Sequence, residues 1–202
     1  DLHWGCADLP REKGEHAMKP LTDVGTDILE WRAALPLGSA FELASAEGLH
    51  ATLAWSDGET LATAETPEGT WTFKRVGVLG KRITLREAGA HGNLAEFHPH
   101  AFGRGRLAFR DGAAFDWATL HHHLGWAFLD VEGNEMLRLQ PWPDTPGHRP
   151  EPGMVLGRVV LEGRGAARWR DAFLAAFGWY LLLLAKHDAH LEDPALEGAN
   201  LI

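Results

Sequence analysis

The chain has 202 residues, 45% of them hydrophobic and 23% charged, which is too apolar for a disordered polymer and ordinary for one folded domain with no linker near its midpoint. A formal net charge of -9 excludes whole-protein attraction to nucleic acid or to an anionic membrane, so any such affinity must be local. Cys6 is the sole cysteine, which excludes an internal disulfide framework, an iron–sulfur cluster and a cysteine-based zinc ribbon.

In chain order, residues 1–38 read as a polar lead-in that ends in a short helix. Thr26 would cap that helix, and Ile28, Trp31 and Leu35 would form its apolar stripe up to Pro36. From residue 39 to 162 the period changes to two, as in Phe41 and Leu43, Leu49 to Trp55, Trp71 and Phe73, Ile83 and Leu85, Leu107 and Phe109, Phe115 and Trp117, and Leu137 and Leu139. Glycine turn signals separate these runs, and about eleven short strand candidates at this spacing point to an antiparallel meander. A proline-rich stretch, Pro141 to Gly153, reads as a long surface loop carrying Trp142.

The segment from Ala172 to Ala185 has fourteen uncharged residues and no polar face, so as a helix it must be surrounded by apolar matter. At about 1.5 Å per residue it covers about 21 Å, short of a bilayer's hydrocarbon core but equal to the depth of a barrel built from strands of six or seven residues. The expected fold is therefore mainly β: a closed antiparallel barrel over 39–190 around a helix at 169–187, with an acidic tail at 191–202. Phe173, Phe177, Trp179, Tyr180, Leu181 and Leu184 would pack that helix inside.

A strand-rich chain of this length that ends in one wholly apolar helix resembles the tubby C-terminal-like superfamily, which includes phospholipid scramblases and the plant LURP-one-related proteins. The likeness rests on Ala172 to Ala185, on TWTFKRVGVLGKRITLRE and on WAFLDVEGNEMLRLQP. It implies a twelve-stranded barrel around the helix and phosphoinositide binding on a basic barrel surface. The chain carries no acidic calcium-binding cluster or cysteine cluster of the scramblase kind, so lipid scrambling is not implied.

Local charge points to the same chemistry. Between Trp71 and Arg110 eight basic residues stand against Glu87 and Glu96. Alternation turns Lys74, Arg82, Arg86, Arg106 and Arg110 outward, and with Lys81 they form a candidate site for a phosphate or phospholipid head group. The alternative is that these cations only keep an outer face soluble and balance acidic neighbours. Among the twelve histidines, His121 and His123 with His98 and His100 form a second candidate, an open zinc or nickel site of a metal carrier or metal-dependent enzyme, although exposed loop histidines explain the same pattern. No nucleophile elbow, cysteine–histidine arrangement or phosphate-cradling loop occurs, so catalysis and a bound cofactor are not expected. The expectation is a cytoplasmic, non-enzymatic binding module, peripheral to a membrane, with a protein-interaction scaffold as the remaining alternative.

Overall fold

A computed structural model describes residues 18–24, 28–35, 39–56, 60–77, 81–120, 125–142, 150–162 and 169–192. Twelve strands follow one another along the chain: β1 (Ile28–Ala33), β2 (Ala40–Ser45), β3 (Gly48–Ser56), β4 (Leu61–Thr66), β5 (Gly69–Val76), β6 (Arg82–Glu87), β7 (Ala95–Pro99), β8 (Gly105–Phe109), β9 (Ala114–Thr119), β10 (Trp126–Leu129), β11 (Glu135–Pro141) and β12 (Val155–Leu161). One helix, α1 (Trp169–Glu192), ends the described chain. Each strand pairs antiparallel with the next, and β1 pairs with β12, which closes the barrel and leaves no free sheet edge.

Period-two burial is the reason these segments are strands. Trp71 and Phe73 on β5, Ile83 and Leu85 on β6, and Leu107 and Phe109 on β8 all face inward and are buried, and the charged residues that flank these pairs, Lys74, Arg82, Arg86, Arg106 and Arg110, face out. The stretch expected to be a helix capped by Thr26 is instead strand β1. Its buried residues are Leu29, Trp31 and Ala33, at period two, whereas Ile28 and Leu35 are 50% and 49% exposed. Three apolar residues matched a helical spacing, but closure of the barrel needs a strand between β12 and β2, and tertiary pairing decides between the two. The barrel therefore starts at Ile28, not at residue 39. Residues 1–17 of the lead-in and 193–202 of the acidic tail lie outside the described residues.

The helix fills the barrel. Residues 171–181 and Leu184 are buried, and the helix continues beyond the wall as far as Glu192. Phe173 meets Trp71, Phe73 and Phe109; Phe177 meets Phe73, Phe97 and Phe128; Trp179 stacks on Trp31 with ring centres 5.5 Å apart. Gly178 is a point of close approach between helix and wall, since a Cβ there would lie 2.8 Å from Cδ1 of Leu139. Among the described residues no helix is long and apolar enough to cross a membrane, a statement that does not extend to strands.

Candidate functional site

The cations singled out in the sequence do face outward. Lys74, Arg82, Arg86, Arg106 and Arg110 are exposed, as is Lys81 just before β6. They do not form one uninterrupted stripe, because β7 lies between β6 and β8 and presents Glu96 and His98 on the same outer face. Arg82 sits 3.6 Å from Glu96, and Arg106 pairs with Asp116 of β9 at 3.1 Å. Arg86 donates to the Asn93 side chain at the β6–β7 connection, and Arg110 lies in the β8–β9 connection, so both belong to the end of the barrel where the helix starts. Lys81 and Arg82 belong to the opposite end, where the helix emerges.

At that second end the antiparallel order brings together the ends of β5 and β6, the β7–β8 connection, the ends of β9 and β10 and the later turns of α1. They surround a cleft of about 270 Å³. Its floor is apolar, formed by Phe97, Trp117, Trp126, Leu181 and Leu184. Among the described lining residues, Arg75, Lys81, Arg82 and Arg104 stand around this floor with one carboxylate, Asp188, and His100 lies beside them. Gly105 makes room for the floor: a Cβ there would fall 2.1 Å from Cζ of Phe97, so only glycine lets that ring lie across β8.

Asp188 and Arg75 form the fixed part of the site. Nη1 of Arg75 donates to both carboxylate oxygens of Asp188, at 2.6 and 2.7 Å, and ties the helix to β5. Burial opposes ionisation of Asp188, but the hydrogen bond and charge of Arg75, helped by His187 and Lys81, outweigh it and hold the carboxyl below its ordinary value. Tyr180 donates to the Thr60 carbonyl at 2.7 Å, and burial raises its phenol well above the usual range, so it stays protonated. Arg104 has no carboxylate within ion-pairing distance among the described residues, and Lys81 feels Asp188 without a direct contact. These two cations and the half-exposed Arg82 are the groups able to meet an incoming anion.

Arg75 and Asp188 were not singled out as a site, although one signal was present. Arg75 is in phase with Trp71 and Phe73, so alternation points a guanidinium inward, where it needs a partner. Of the candidate metal ligands, His98 faces outward 3.8 Å from Glu96, and His100 borders the cleft. His121 and His123 lie outside the described residues, and among those described no three His, Cys, Asp or Glu side chains are grouped to hold a metal ion. Asp130, a carboxylate near Glu132, accepts hydrogen bonds from the backbone N–H groups of Glu132 and Asn134 and so closes the β10–β11 turn. Trp142 is 46% exposed, with the Arg158 guanidinium over its ring.

No protein-family model, curated protein or solved structure matches the chain.

Proposed function

We propose that the protein is a non-enzymatic binding module for an anionic ligand, the head group of a phospholipid or phosphoinositide, working in the cytoplasm at a membrane surface. The observation that carries this reading is the cleft at the open end of the barrel, where four cationic side chains and one carboxylate stand among the described lining residues on a chain of net charge -9. Arg104 and Arg82 offer planar donor pairs suited to phosphate oxygens, and Lys81 adds a compact charge. Lys74 adds a charge on the outer wall, where Arg106 is paired with Asp116, whereas Arg86 and Arg110 stand at the far end. The likeness to the tubby C-terminal-like superfamily supports the same ligand class.

Vesicle flotation tests it. The double variant Lys81→Glu/Arg82→Glu is expected to lose at least about tenfold in binding to phosphoinositide-containing vesicles, because two attractive charges become repulsive. The matched variant Arg86→Glu/Arg110→Glu is expected to bind nearly as the parent does. Equal binding by the parent and the Lys81/Arg82 variant overturns the assignment.

A further inference from the structure

The connection between β7 and β8 carries a large apolar side chain where a polar or small one is expected. Phe102 is 94% exposed, the highest value among the exposed large hydrophobics of the described residues. Its backbone lies in the left-handed region, with φ 62° and ψ 36°, and Gly103 follows with φ 69°. The Arg104 N–H donates to the Ala101 carbonyl and the His100 N–H to the Arg104 carbonyl, so the pair occupies the tip of a tight two-residue turn. Asn, Asp or Gly normally fill such positions, because an L-residue with a Cβ is disfavoured there. A phenyl ring held in this conformation, and covered by none of the described residues, has no role in packing the barrel.

Its neighbours say what would cover it. His100 and Arg104, the residues that flank the turn, both border the cationic cleft, and Lys81 and Arg82 stand on the same rim. An exposed aromatic at the tip of a turn whose flanking residues border a cationic cleft is complementary to the interface of an anionic bilayer, where the ring enters the acyl boundary while the cations meet phosphates. We propose that Phe102 is a membrane wedge: the β7–β8 turn inserts into the interfacial layer of an anionic bilayer and seats the head-group cleft on the membrane. This rests on the head-group reading above and adds to it a penetrating, salt-insensitive component of binding.

Two variants test the wedge. Phe102→Gly suits the left-handed backbone, so the barrel is expected to fold as before. It is expected to bind soluble inositol trisphosphate unchanged, yet to lose roughly tenfold or more in binding to phosphatidylcholine vesicles doped with phosphatidylserine and phosphatidylinositol bisphosphate. Phe102→Cys in a Cys6→Ser background, labelled with an environment-sensitive fluorophore, is expected to brighten and shift blue on those vesicles and not on pure phosphatidylcholine. Parent-like vesicle binding by Phe102→Gly, or a label that stays in water on bound protein, overturns the wedge and leaves the head-group reading standing. Binding of the trisphosphate but not of vesicles by the parent protein overturns the wedge and the placement at a membrane together, and leaves only an anion-binding cleft. Binding of neither overturns both.

Discussion

His50 shows how much a single side chain can do at the opposite rim. It is fully buried, with Nδ1 2.8 Å from the Lys19 carbonyl and Nε2 2.8 Å from the Ser45 hydroxyl. A carbonyl can only accept, so Nδ1 carries the proton donated to Lys19, and Nε2 shares a hydrogen bond with the Ser45 hydroxyl. The ring thereby pins the segment before β1 to the β2–β3 hairpin, assisted by the Lys19 N–H donating to the Leu49 carbonyl at 2.8 Å. His50→Ala leaves both partners without it and is expected to cost about 1–3 kcal/mol in a denaturant titration. A loss below the error of that measurement contradicts the structural role. Phe102→Gly carries the opposite expectation: relief of the left-handed backbone leaves the melting temperature equal to the parent's or higher. A clear fall would mean that the ring packs against the barrel after all.

The helix is the element on which the fold depends. Phe177 is fully buried among Phe73, Phe97, Phe128 and Tyr180, so Phe177→Ala is expected to cost about 3–5 kcal/mol, read as a shift in the unfolding midpoint. Parent-like stability would mean that the helix is not the core. Its far end is fastened by charge. The Asp188 carboxyl titrates lower in the folded chain than in the unfolded one, so its contribution is present above the unfolded value near 3.8 and disappears as pH falls through the folded value. Asp188→Asn is therefore expected to be less stable than the parent at neutral pH by about 1 kcal/mol, a modest figure because the pair is partly solvated. The difference should vanish in acid. A gap in thermal midpoint that stays constant from pH 7 to below pH 3 would show that the Arg75 contact does not depend on the charge.

For the whole molecule, the sequence made the barrel and its filling legible and left its ends obscure. Strong alternation in β5, β6 and β8 comes from large inward residues, and the fourteen-residue apolar run could only be enclosed. In β4 the inward residues are Ala62 and Ala64, too small to give a rhythm that stands out, and in β1 three apolar residues also fit a helical period. Which cations meet was hidden for a different reason. Position along a strand gives the face but not the end of the barrel, and only the closed strand order separates Lys81 and Arg82 from Arg86 and Arg110 and puts Glu96 between two arginine-bearing strands. Arg104 and Phe102 sit in a turn, where alternation carries no information, so the exposed phenyl ring and the cation beside it had no sequence pattern to reveal them.

The most direct measurement of the head-group assignment is flotation of the parent protein with neutral and phosphoinositide-containing vesicles, at low and at physiological salt. Binding to the anionic vesicles alone, weakened by salt but not abolished, and lost when Lys81 and Arg82 are reversed to Glu, is the expected result. Failure to float with anionic vesicles even at low salt, or equal binding to neutral ones, would contradict it.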